Sequence, residues 1–270
     1  MNGNGNGVWF ELKNAFAPNR AISKRTLGIF TTFWIACAFL VWIYGAPDII
    51  PRPLEVLQAF INLYQNEGLI FELWKSLKTN FQVIALSTAL SLSICYAAAM
   101  PIMRPVAEAL SKARFLGLTG LLVIFMSVFA GGHSLKLALM TFGMSAFNIA
   151  NMSNVLERIT KNQKDHARTL RMDEWEVVWE VHVRGTLDKA FDVIRDNAAI
   201  GWMMLTMVEG LVRSGGGIGK LLLDENKHLN LGAVFAIQFV IITVGLIQDY
   251  GWGGLKNLAC PHARLTLDRR

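Results

Sequence analysis

Charged residues punctuate this chain unevenly, and the intervals between them outline its architecture. Five stretches free of Asp, Glu, Lys and Arg are long enough to cross a membrane: 26–47, 79–103, 115–135, 137–156 and 228–248. About 20 apolar residues span a hydrocarbon core about 30 Å thick, where only a helix satisfies its own backbone N–H and C=O groups. A sixth stretch, 197–212, is interrupted by Glu209 and follows Asp192, Arg195 and Asp196. Topology brings it in. Six spans put both termini on one side, and 18 of the 26 Lys and Arg then gather there, as the positive-inside rule requires. The expected fold is therefore all-α, a polytopic membrane protein with about six transmembrane helices. Its expected organisation is a flexible cytoplasmic segment 1–25, a transmembrane domain 26–256 and a cytoplasmic tail 257–270, in the plasma membrane with both termini inside.

Shorter patterns lie between the spans. Pro51 and Pro53 precede Leu54, Leu57, Phe60, Ile61 and Tyr64, an apolar stripe at helical spacing that predicts a short outer helix packed against the bundle. The polar segment 157–189 carries seven bases and seven acids, too many charges to cross. Within it Met172, Trp175, Trp179 and His182 recur at helical intervals, which predicts one face bearing two tryptophans. Such a face suits either a protein partner or the covering of the inner ends of the spans.

Composition agrees with residence in lipid. Of 270 residues 53% are hydrophobic and 17% charged, with mean hydropathy +0.38. An ordinary soluble domain carries roughly 25% charged residues. Cys37 and Cys95 sit inside apolar runs and form no disulfide framework. The net charge of +6 reflects bases held on one side of a bilayer rather than affinity for nucleic acid. Five scattered histidines without metal-ligand spacing give no metal site, and no nucleophile motif gives a catalytic one.

Two polar features fall beside the sixth span. A carboxylate inside a span is costly, so Glu209 must face protein or water, as a structural hydrogen-bond partner of the following glycine loop, a gate or a substrate contact. The loop Ser214-Gly215-Gly216-Gly217-Ile218-Gly219-Lys220-Leu221 is superficially similar to a phosphate-binding loop. Ser214 replaces the first glycine, Leu221 replaces the hydroxyl residue that would hold magnesium, and a membrane helix precedes it. The glycines are expected to make a tight turn instead.

Asp165-His166-Ala167-Arg168-Thr169-Leu170-Arg171, followed by Val181-His182-Val183, resembles the loop signature of ABC importer permeases, E-A-A, three residues, G, nine residues, I-x-L-P. Asp165 stands for the Glu, His166 and Ala167 for the two Ala, Arg171 for the Gly, Val181 for the Ile, Val183 for the Leu and Arg184 for the Pro. Only Ala167 is identical. The run Ala167 to Leu170 and Trp175 are similar to the nitrate, sulfonate and taurine branch of that family. So are Pro51 to Phe60, Gly131 to Lys136, Val208 to Gly219 and Asp249 to His262, an ordered likeness over 51–262.

The resemblance implies a permease subunit of the inner membrane, working with a second permease copy or a different permease, two cytoplasmic ATPase subunits and an extracytoplasmic solute-binding protein. It implies that 165–179 is a helix seated on an ATPase, with Arg168 and Arg171 pairing with acids and Trp175 filling an apolar pocket. ATP would be used by the partners, with no cofactor bound by this chain. The cargo implied is a small anion such as nitrate, a sulfonate or bicarbonate. A glycine at position 171 would allow a backbone geometry that arginine disfavours, so the altered loop points to a better-preserved partner permease. The alternative is a membrane protein without transport activity, either an enzyme or an uncoupled relative.

Overall fold

The computed structural model describes residues 23–45, 47, 49–129 and 131–261, and every regular element among them is helical. The chain divides into two compact units, Met1–Gln58 and Ala59–Arg270. The segments expected as a flexible start and a polar tail lie largely outside the described residues.

In the first unit, helix α1 (Lys24–Tyr44) starts at Ser23, whose hydroxyl accepts from the Thr26 amide, and is apolar over Arg25–Tyr44. Phe33, Trp34 and Val41 lie exposed on it, a surface suited to lipid. Trp42 donates its indole N–H to the Pro51 carbonyl at 3.0 Å, tying the end of α1 to the following turn. Helix α2 (Pro53–Asn66) straddles the division and corrects the expected stripe. Leu54, Leu57, Ile61 and Tyr64 are exposed, while Val56 and Leu63, one heptad apart on another face, are buried. Two apolar faces share this helix, and periodicity alone favoured the denser one.

In the second unit, α3 (Leu69–Ala97) is followed by α4 (Arg104–Lys112) and α5 (Leu118–Val128), then α6 (Gly132–Glu157). After a polar elbow come α9 (Leu187–Leu211), α10 (Ile218–Lys227) and α11 (Leu231–Ala259). With α1, helices α3 and α11 are long and apolar enough to cross a membrane, and the pair Pro101–Phe115 and Leu118–Val128, bent by 113°, makes a possible fourth crossing. Helices α6 and α9, of 26 and 25 residues, have the length but not the apolarity, because they carry polar groups into the core.

The expected boundaries shift for one reason. Lys78 and Lys136 bound the charge-free stretches, yet α3 begins at Leu69 and α6 at Gly132, so both, together with Glu72 and Lys75, lie inside helices. The break falls instead at Gly131 and Gly132, both with positive φ. The stretch expected as a continuous span over 115–135 is the short α5, and the one over 79–103 stops at Ala97. The last helix runs on to Ala259, beyond the charge-free stretch that ends at 248.

Helix α6 occupies the middle, packed along α3 and α9. Leu139, Met140, Met144, Ile149 and Met152 of α6 meet a core that also takes Trp202, Leu205 and Val208 of α9. A ladder of side-chain amides pins these helices together. Asn197 donates to Asn148 at 2.6 Å, Asn151 to Asn197 at 3.1 Å, and both Asn80 and Trp202 to the Gln248 carbonyl, at 3.1 and 2.8 Å. Lipid offers no hydrophobic drive between helices, so such bonds supply register and specificity. Nearer the elbow, Arg195 grips Asp249 with two bonds of 2.5 Å.

Candidate functional site

Two polar regions sit at opposite ends of α9, which at about 1.5 Å per residue keeps them roughly 37 Å apart. The elbow precedes Leu187, and the glycine loop follows Leu211.

The elbow holds two short helices rather than the single one expected over 165–179. Helix α7 (Lys161–Thr169) begins where the Thr160 amide donates to Gln163 at 2.9 Å, and α8 (Glu174–Val177) where the Asp173 amide donates to Glu176 at 2.9 Å. Each pairing is a capping-box contact at a spacing visible in the sequence. Between them the chain turns at Leu170 and Arg171, and Arg171 holds φ at +60°. The arginine thus adopts the left-handed conformation that a glycine would take freely and that strains a residue with a side chain. Past α8 a π-helical turn, Val178–Val183, and a tight turn, Arg184–Thr186, lead into α9.

Arg168 locks the two helices. Its guanidinium reaches Asp165 at 2.9 Å and both oxygens of Glu174 at 2.8 and 3.1 Å. This pairing holds the Glu174 carboxyl below the usual carboxylate range. Ala167 is buried, His166 is exposed, and the Thr169 hydroxyl donates to the His166 carbonyl. Val181 and Val183 are half-buried, and Leu170 points outward. Trp175 and Trp179 are 63% and 58% exposed. The expected common face is incomplete, because the π-turn rewinds the chain and leaves His182 half-buried at the inner side. Burial first, and Lys164 second, push the His182 imidazole below the usual histidine range, with a Val177 carbonyl opposing.

At the far end of α9 the glycine loop forms a clasp. Glu209, 1% exposed, accepts from the Ser76 hydroxyl at 2.9 and 2.8 Å and from the Gly219 amide at 3.0 Å. The Ile218 amide donates to the Ser76 oxygen at 2.8 Å, the Gly217 amide to Glu72, and the Lys136 ammonium to the Gly216 carbonyl. Gly215, Gly216 and Gly217 all hold positive φ. A Cβ on Gly217 would overlap the Glu209 carboxylate and one on Gly219 the Thr206 backbone, so these positions need glycine for close approach. Beside the clasp opens a cavity of 280 Å³ lined by Lys75, Lys78, Thr79, His133, Lys136, Glu209, Gly215 and Gly216.

The structure thus joins Glu209 to the glycines, and separates both from the elbow residues. It adds Glu72, Lys75, Ser76 and Lys136, which sequence reasoning missed. The signal available was a set of charges i, i+3 apart in the run Glu72, Lys75, Lys78, which share one helical face leading into an apolar stretch.

Comparison with known proteins gives one family and one fold. The family model described as binding-protein-dependent transport system inner membrane component matches residues 15–250. Among solved structures, a chain of the MetNI methionine ABC transporter, captured in inward-facing conformations, superposes with a TM-score of 0.62 at 14% identity, covering 70% of this chain and 95% of that one. Comparison with curated proteins returns no match. The fold expected from the charge-free stretches is that of an ABC permease, and the family context implies ATPase subunits and a solute-binding protein as partners in a multi-pass inner-membrane assembly. This chain belongs to the family of binding-protein-dependent transport system inner membrane components, the permease subunits of ABC importers.

Proposed function

We propose that this permease serves the import of a small anion, with its elbow seated on the ATPase side and its glycine clasp at the outer end of the pathway. The observation that carries the cargo class is the cavity beside the clasp. Three ammonium groups, Lys75, Lys78 and Lys136, and the imidazole of His133 converge there on one lining carboxylate, Glu209. Lys75 pairs with Glu72 at 2.9 Å and Glu209 has its oxygens engaged by Ser76 and Gly219, so the charge left to the cavity comes from Lys78 and from Lys136, whose ammonium meets the Gly216 carbonyl rather than a carboxylate. A concave site lined by one sign of charge raises the local concentration of the opposite ion. The likeness to the nitrate, sulfonate and taurine branch supports the same class, whereas the solved neighbour is a methionine transporter and shares the fold alone.

In this reading the elbow passes the motion of the nucleotide-driven dimer to α9, and α9 moves the clasp. Arg168 sets the angle between α7 and α8, so that Trp175 and Trp179 face the ATPase together. ATP is consumed by the partner subunits, and this chain binds no cofactor. The partner permease is either a second copy or a better-preserved relative. The test is solute-stimulated ATPase activity of the reconstituted complex with its binding protein, across anionic and neutral solutes. Lys78→Gln, which removes a charge without touching the clasp, should raise the half-saturating concentration for anions severalfold. Equal stimulation by neutral solutes would overturn the anion reading.

A further inference from the structure

A second cavity, of 490 Å³, opens where the elbow meets the bundle. Its bundle wall carries Arg104 and Arg114, on α4 and the turn after it, and its elbow wall carries Lys164. None of these three bases forms an ion pair with a described carboxylate, in contrast to Arg168 nearby, which takes both Asp165 and Glu174. Bases that line a cavity and reach no carboxylate within ion-pair distance are free to take an anion. Glu108 and Glu157 line the same space and form no ion pair among the described residues, so they offer hydrogen-bond acceptors.

The surroundings fix the depth. Ile102, Phe115 and Leu116, on the segment that supplies the two arginines, are 79%, 78% and 53% exposed. Apolar side chains with adjoining bases belong at the boundary between acyl chains and headgroups, and basic pockets between helices at that level take phosphate headgroups.

We propose that this cavity binds a phosphate ester whose body carries O–H or N–H donors, with Arg104, Arg114 and Lys164 on the phosphate and Glu108 and Glu157 on the donors. Such a ligand comes either from the adjoining lipid leaflet or from solution. It bridges the bundle and the elbow, and therefore stiffens the joint that must flex for coupling, a consequence that rests on the ATPase-side reading of the elbow.

The test uses the full chain in phosphatidylcholine nanodiscs, a lipid whose headgroup has no N–H or O–H donor. Phosphatidylglycerol retention is read by native mass spectrometry, and glycerol 3-phosphate binding by calorimetry. Either probe binding in preference to phosphatidylcholine supports the site and identifies its source. Replacing all three bases by Gln should weaken binding by about fivefold for each base removed. Lys112→Gln, on α4 but away from the cavity, should leave it unchanged. Lys164→Gln alone gives the same reading if the triple variant fails to fold. Binding of neither probe, or binding unaltered by loss of the bases, would overturn the proposal. ATPase stimulation is measured separately, and its absence with ligand binding intact would count against the transport reading only.

Discussion

The elbow and the clasp occupy opposite ends of one helix and are stabilised on opposite terms. The elbow is open to water, and its lock is a surface ion network in which Arg168, Asp165 and Glu174 are all substantially exposed. Exposed pairs of this kind add little to stability, since solvent screens the attraction and ordering two long side chains costs entropy. The clasp is largely buried, with Glu209 and Lys136 at 1% and 2% exposure and their bonds made to backbone or a buried hydroxyl. A buried carboxylate that loses its donors, or donors that lose their carboxylate, bear the full desolvation cost. One end is held by screened, exposed charges and the other by buried bonds.

The largest effect expected is therefore at Glu209. Glu209→Ala leaves the Ser76 hydroxyl and the Gly219 amide unpaired and should destabilise the purified chain by about 3 kcal/mol, measured by thermal unfolding in detergent. Glu209→Gln, which retains a carbonyl acceptor, should recover most of that loss. A melting temperature unchanged in both variants would mean that the clasp does not hold the loop.

A smaller effect of opposite sign is expected at the elbow. Arg171 holds φ at +60°, which costs a side-chain-bearing residue about 1 kcal/mol or more. Arg171→Gly should raise the melting temperature slightly, after the extra freedom of glycine in the unfolded chain is subtracted. The same substitution in the clasp, run in reverse as Gly217→Ala, should be strongly destabilising. If both changes moved stability in the same direction, the contrast between the two ends would be lost.

The sequence disclosed these regions unequally, for physical reasons. Hydropathy located the helices of the bundle because a membrane demands long uncharged runs, but it placed their ends at charges. Lys136 shows why that fails: its ammonium is satisfied by the Gly216 carbonyl from a segment 80 residues away, and no local pattern announces such a partner. Capping-box spacings stand in the sequence at Thr160 and Asp173 and would mark both elbow helices, whereas the single helix expected over 165–179 rested on the family resemblance. On α2 the visible stripe proved exposed, since a permease packed among lipid and partners carries apolar faces that a single chain does not bury.

The smallest effect concerns His182. Its imidazole is held below the usual histidine range, so the folded chain binds a proton less readily than the unfolded one. Stability is therefore full above about pH 6.5 and declines as pH falls through the folded value. The drop in melting temperature between about pH 7.5 and about pH 5.5 should be smaller in His182→Gln than in the parent. An equal drop would assign the pH dependence to other groups.

The most direct measurement of the central claim is cross-linking from the elbow. With Trp175→Cys in the assembled complex, a thiol-specific cross-linker should join this chain to an ATPase subunit, and the yield should change on ATP binding. Labelling of that cysteine only by reagents added from the outer side, with no ATPase adduct, would contradict the account.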